Sequence, residues 1–214
     1  MGKELLRSQL LYGILDTGYV EEEDYTQVIR DLSAGGVKVM QFRAKGKPED
    51  FVLQKSLEIA PLCRELGVLL IINDYPHIAV QCGAAGVHIG QDDGDLQETK
   101  AIVGGDILIG RSTHSYEQAL AAWKEGFDYI GFGPLFPTAT KPGRPAIGLE
   151  DIARVHQDIP EEFPIYCIGG VQPSNLTEIM AAGARRVVIV SWLLGRENKA
   201  ESAREIRRIL EKGR

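Results

Sequence analysis

Asp74 and Asp93 carry the most specific chemical suggestion in this chain, because each closely follows a short apolar run. The runs, Val68 to Ile72 and Ala85 to Ile89, predict two buried strands. With only about a dozen residues between them, they form a βαβ unit whose strands run parallel and end at one edge of a sheet. The two carboxylates then face each other across roughly one strand spacing, ~5 Å. A pair of this kind, with no run of His or Cys beside it, suits a hard cation such as Mg²⁺. That ion takes one or two protein carboxylates and completes its shell with water and substrate phosphate oxygens. A competing account is local: Asn73 and Asp74 precede Tyr75 and Pro76 and so can end a strand and cap a helix, while Asp92, Asp93 and Gly94 have the composition of a turn.

Basic and hydroxyl groups elsewhere favour the metal and phosphate account. Gln41, Arg43 and Lys45 stand at intervals of two after another apolar run, so in extended backbone they project to one side, as a guanidinium fork and an ammonium suited to a diphosphate. A solvated basic turn is the alternative there, with Lys47 close by. Ser112, Thr113 and His114 offer hydroxyl donors and an acid or base near neutral pH, with helix capping by Thr113 and Ser115 as the rival use. The stretch Gly131 to Lys141 begins as GxGxx but has Phe136 where a dinucleotide fingerprint needs glycine, and its prolines keep a helix from opening. Its Thr138, Thr140 and Lys141, with Arg144 beyond, are suited to an anion, and Gly143 and Gly148 to lid movement. Gly169-Gly170 and Val190-Ser191 complete a second anion site of backbone N–H groups and a hydroxyl, against the plainer reading of two tight turns.

These groups need a scaffold that gathers strand ends. The apolar runs at 10–15, 37–42, 68–72, 85–89, 107–109, 129–132, 165–168 and 187–190 alternate with eight helical stretches. Eight such pairs without a break in composition predict one (β/α)₈ TIM barrel spanning 1–214, its active site at the carboxyl ends of the strands. The 214 residues, 44% hydrophobic and 25% charged, are enough for its core. A net charge of −6 argues against a general nucleic-acid or anionic-membrane surface. Three cysteines without CxxC spacing read as buried thiols rather than disulfides or a zinc site, and no export or membrane-spanning segment is evident, so a cytoplasmic protein is expected. Homo-oligomerisation is left open.

The motifs QFRAK, IINDY, GVHIGQDD, GRSTHS, GFGPLFPTATK, CIGGV and VSW, in this order from Leu11 to Trp192, closely resemble those of the thiamine phosphate synthase family. The resemblance implies a Mg²⁺-dependent transferase. It joins a pyrimidine methyl diphosphate to a thiazole ethyl phosphate or its carboxylate, and releases pyrophosphate through a pyrimidinyl cation. It implies Asp74 and Asp93 as metal ligands. Gln41, Phe42, Arg43, Ala44, Lys45, Asn73, Ser112 and Lys141 would hold the diphosphate substrate, with Arg43, Lys45, Ser112 and Lys141 as the catalytic set. Thr138, Ala139, Thr140, Gly170, Val190 and Ser191 would hold the thiazole phosphate. Two other activities stand beside this one: a thiazole tautomerase using His114, and a non-catalytic metabolite-binding regulator. Trp192 departs from the small residue expected after the serine.

Overall fold

The computed structural model describes residues 2–138 and 145–213. Eight parallel strands close into a barrel in sequence order: β1 (Leu11–Asp16), β2 (Val39–Arg43), β3 (Leu69–Asn73), β4 (Gly86–Ile89), β5 (Leu108–Thr113), β6 (Tyr129–Phe132), β7 (Ile165–Cys167) and β8 (Val187–Ile189), with β8 pairing back onto β1. The helices between them are α2 (Tyr25–Ala34), α3 (Glu49–Glu65), α4 (Pro76–Cys82), α5 (Leu96–Val103), α6 (Tyr116–Glu125), α7 (Ile152–Asp158), α8 (Pro173–Ala181) and, after β8, α10 (Lys199–Lys212). The predicted architecture is therefore present, with two additions. Helix α1 (Gly2–Ser8) precedes β1, and a four-residue helix, α9 (Ser191–Leu194), follows β8.

Each strand has two faces that alternate residue by residue. Met40 and Phe42 on β2, or Leu70 and Ile72 on β3, turn outward and are buried under the helices. The opposite set lines the barrel's central cavity: Gln41 and Arg43 on β2, Asn73 on β3, His88 on β4, Ser112 on β5. Tyr12, Tyr129 and Tyr166 meet across the barrel with ring centroids 5.2 to 6.1 Å apart, and none is more than 2% exposed. Burial raises the pKa of all three phenols, so they stay neutral.

Beneath this layer α1 covers the amino-terminal end of the barrel. Tyr166 Oη donates to the Leu6 carbonyl at 2.8 Å, and the Arg186 guanidinium donates to the Arg7 carbonyl at 2.9 Å. Leu6 itself is buried. No described helix is long and apolar enough to cross a membrane. The three cysteines are free and buried, and desolvation pushes the Cys63 and Cys167 thiols up to about 12, far from a reactive thiolate.

Candidate active site

A cavity of about 280 Å³ opens at the carboxyl end of the barrel. Of the residues expected from sequence, Gln41, Arg43, Asn73 and Ser112 line one side of it. Thr138, Gly170, Val190 and Ser191 line the other. Ala139, Thr140, Lys141, Gly143 and Arg144 lie outside the described residues. Phe42, Ala44, Lys45, Asp74 and Asp93 do not line the cavity. Phe42 points the opposite way from Gln41 and Arg43 and packs its ring on Tyr25 at 5.8 Å, so only its backbone is on the site's side of the chain.

The parallel register sets Arg43 beside Asp16, and the two close an ion pair at 2.6 Å. Asp16, one residue beyond the apolar run 10–15, is the last residue of β1 and is 3% exposed. Lys45 lies farther out, its side chain 60% exposed, and its Nζ donates to Asp74 Oδ2 at 2.8 Å. The ammonium is therefore stabilised: hydrogen bonding to Asp74 raises the Lys45 pKa against the opposing effect of burial.

Asp74 has φ 69°, the only positive φ among the described non-glycine residues. Such a conformation costs roughly 1–2 kcal/mol, and Asp is one of the few residues that tolerates it. Asp74 does not cap α4: the cap position is Tyr75, without a side-chain hydrogen bond. Its carboxylate is aimed instead toward Lys45 and Asp93. Burial raises the Asp74 pKa, Lys45 pulls it back, and the negative charge of Asp93 raises it further. Asp93 is held by the Gly90 N–H, which donates to its Oδ2 at 2.9 Å. A Cβ at Gly90 would lie 2.5 Å from that same oxygen, so a side chain there would make the Asp93 carboxylate shift.

These two carboxylates fit a magnesium ion by the chemistry of their donors. They are hard oxygens, mutually repelling and partly relieved by one ammonium, so a divalent cation between them removes an electrostatic cost the protein otherwise bears. No cluster of three or more His, Cys, Asp or Glu suited to a metal occurs among the described residues. Two protein carboxylates would suit an ion that keeps water and substrate oxygens in its shell.

The other side is built from backbone. Gly169 and Gly170 have φ values of 97° and 67°. A Cβ on Gly169 would sit 2.4 Å from the Pro134 Cα, and one on Gly170 would sit 2.7 Å from the Phe136 Cβ. The pair is therefore packed directly against the loop after β6, whose Leu135 and Phe136 N–H groups donate to the Ile168 and Gly169 carbonyls at 2.8 and 3.1 Å. Ser191 opens α9, and Trp192 beside it adds an aromatic wall with the Arg196 guanidinium stacked 4.5 Å from its ring centroid. His114 also reaches the cavity, and its Nδ1 is hydrogen-bonded to the Gly133 carbonyl. Ser115, not Thr113, caps α6; the Thr113 hydroxyl donates to Gly131.

Sequence reasoning missed Tyr12, His88, Tyr129 and Tyr166 as cavity residues. The signal was available in the period of two: His88 sits in GVHIG between outward-facing Val87 and Ile89, so a polar residue there points into the barrel.

A family profile described as thiamine monophosphate synthase matches residues 11–193. Among curated proteins, the chain is 42% identical to the thiamine-phosphate synthase of Thermus thermophilus over 81% of this chain and 83% of that one. It is 35% identical to the thiamine-phosphate synthase of Chloroflexus aurantiacus over 94% and 92% of the respective chains. Among solved structures, the thiamine phosphate pyrophosphorylase of Pyrococcus furiosus superposes with a TM-score of 0.85 at 29% identity, covering 98% of each chain.

Proposed function

The chain belongs to the thiamine monophosphate synthase family and is a transferase that forms thiamine phosphate, and we propose how its residues divide that work across one cavity. The substrates on this reading are 4-amino-2-methyl-5-pyrimidinylmethyl diphosphate and thiazole ethyl phosphate or its carboxylate. The whole chain acts as one domain, in the cytoplasm.

Gln41, Asn73 and the backbone around Phe42 and Ala44 hold the pyrimidine diphosphate. Arg43, Lys45, Ser112 and Lys141 act on the leaving group. Thr138, Ala139, Thr140, Gly170, Val190 and Ser191 hold the thiazole phosphate. Asp74 and Asp93 hold Mg²⁺, which supplies positive charge to the diphosphate oxygens when bound.

The bond from the pyrimidine methylene carbon to the diphosphate oxygen breaks, and its electron pair leaves with pyrophosphate. The lone pair of the thiazole nitrogen then forms the new carbon–nitrogen bond to the cation left behind. No protein nucleophile is needed. Arg43 and Lys45 neutralise the charge that gathers on the departing anion, which lowers the barrier to bond breaking. The glycine side holds the thiazole nitrogen within reach, so the cation is captured before it diffuses or meets water. The apolar walls at Ile14, Ile168 and Val188 help to keep that water out.

The observation that carries this reading is the pairing in one cavity of the Arg43 guanidinium, with Gln41, Asn73 and Ser112, and a glycine backbone side, which supports places for two phosphorylated substrates. The test is formation of thiamine phosphate by the purified protein from the two substrates, with Mg²⁺ and then with excess EDTA, beside Asp74→Ala. Product that requires metal and falls by about two or more orders of magnitude in the variant is expected. Metal-independent isomerisation of the thiazole that disappears in His114→Ala would replace this reading with a tautomerase.

A further inference from the structure

Arg111 lies outside the cavity, yet it grips the loop that carries Asp93. On β5 it stands between Gly110 and Ser112, so where Ser112 faces the cavity Arg111 turns away from it. The parallel register sets it beside Ile89, the last residue of β4. From there its guanidinium reaches the loop 90–94. Nη1 donates to the Gly94 carbonyl at 2.6 Å and Nη2 to the Gln91 carbonyl at 3.2 Å. These two carbonyls bracket Asp92 and Asp93.

Other bonds hold the same loop. The Gln91 side-chain amide donates to the Ser112 carbonyl, and the Gly90 N–H donates to Asp93 Oδ2 at 2.9 Å. Downstream, Asp95 and Glu98 form a capping box that starts α5. The Arg111 Cζ lies 5.5 Å from the centroid of the Phe127 ring, which is 4% exposed, so the fork rests on a buried platform. The other carboxylate is tied to the same strand, since the Asp74 N–H donates to the His88 carbonyl at 2.9 Å. Both carboxylates thus take their place from the end of β4.

A loop with glycine at both ends samples many shapes unless it is held, and Gly94 sits at φ 107°, where glycine moves most freely. The guanidinium is a rigid planar fork that bonds two carbonyls at once, whereas a lysine ammonium is a point charge on a flexible stem. Magnesium demands near-octahedral oxygens at about 2.0–2.1 Å, so a wandering carboxylate binds it poorly.

We propose that Arg111 is a positioning residue for a divalent cation: by clasping Gln91 and Gly94 it fixes the Asp93 carboxylate toward Asp74. The inference rests on the reading of Asp74 and Asp93 as metal ligands and extends it to a residue that meets neither substrate nor ion.

The test compares the wild type with Arg111→Lys, which keeps the charge and loses the fork. Binding of Mn²⁺ alone, read by electron paramagnetic resonance, is measured beside the Mg²⁺ dependence of thiamine phosphate formation. The Mn²⁺ dissociation constant and the half-saturating Mg²⁺ concentration should each rise at least about tenfold, as when the outer partner of a metal ligand is lost. At saturating Mg²⁺, kcat should stay within about twofold of the wild type, because the reacting atoms are untouched. In an Asp93→Asn background, Arg111→Lys should weaken Mn²⁺ binding no further. Gln91→Ala, which cuts the loop's tie to the Ser112 carbonyl, should move both metal constants in the same direction, and it serves where Arg111→Lys does not fold. Unchanged metal constants, a lower kcat at unchanged metal dependence, or full additivity with Asp93→Asn overturns the proposal and leaves Arg111 as a brace for the fold. A wild type that neither binds Mn²⁺ nor needs Mg²⁺ condemns the metal assignment itself, and the proposal falls with it.

Discussion

The two sides of the proposed site would meet anions by different physical means. On the β2 to β5 side the charges are on side chains and are already paired: Arg43 with Asp16, Lys45 with Asp74. On the β6 to β8 side the material is glycine backbone packed against a proline-rich loop. A substrate on the first side must share cations with protein carboxylates, so its binding is an exchange of partners. On the second side there is little charge to exchange and shape decides. The first side is therefore tuned by charge removal, the second by a single methyl group.

The largest expected effect comes from breaking a pair on the charged side. Arg43→Met leaves Asp16 buried with the Gly18 N–H but without its cation, which costs up to about 3–5 kcal/mol of stability and removes a cation from the proposed leaving-group site. Adding Asp16→Leu should restore much of the stability measured by denaturant unfolding while activity stays lost. Recovery of both together would show that Arg43 serves the fold only.

A smaller and more selective loss is expected on the backbone side. Gly169→Ala forces a Cβ against Pro134 at a positive φ, a strain of about 1–3 kcal/mol that the loop must absorb by moving. KM for thiazole phosphate should rise about tenfold with KM for the diphosphate nearly unchanged, since 1.4 kcal/mol of lost binding is a factor of ten. Equal rises in both constants would mean that the two sides are mechanically one.

The mildest test is acid. His156 on α7, in the segment between β6 and β7, is mostly buried, and its Nε2 has no hydrogen-bond partner among the described residues. Burial, with help from Arg185 and Arg186, lowers its pKa from 6.5 to about 4. The unfolded chain therefore binds this proton before the folded one does. The resulting contribution to stability is complete above pH 6.5 and is lost as pH falls toward 4, amounting to about 1.4 kcal/mol at pH 5.5. His156→Leu should flatten that slope in urea unfolding at pH 7 and pH 5.5, and an unaltered slope would assign the acid sensitivity to other groups.

The barrel was legible in the sequence because its strands are buried on both faces and read as unbroken Val, Leu and Ile runs. β6 has the predicted ends, Tyr129–Phe132, set between Gly126 and Gly133. Helix α1 was not legible: GKELLRS is short and mixed, and it folds because Leu6 is buried and its carbonyl accepts from Tyr166. Short α9 was hidden by the apolar run that it continues. At the proposed site, Asp74 and Asp93 were singled out because charge at the end of an apolar run stands out. His88 and the tyrosines were not, because a polar or aromatic residue inside such a run looks like core until inward and outward faces are told apart.

Helix α1 turns the barrel from a tube into a cup. With the Leu6 and Arg7 carbonyls tied to Tyr166 and Arg186, and three tyrosine rings packed at tilted and edge-on angles above them, that end is closed. Both substrates arrive and both products depart through one doorway. On the proposed placement, with pyrophosphate near the exposed Lys45 and the ring at the tyrosine floor, pyrophosphate would be first in line to leave, and one opening would impose an order on a reaction whose chemistry alone requires none.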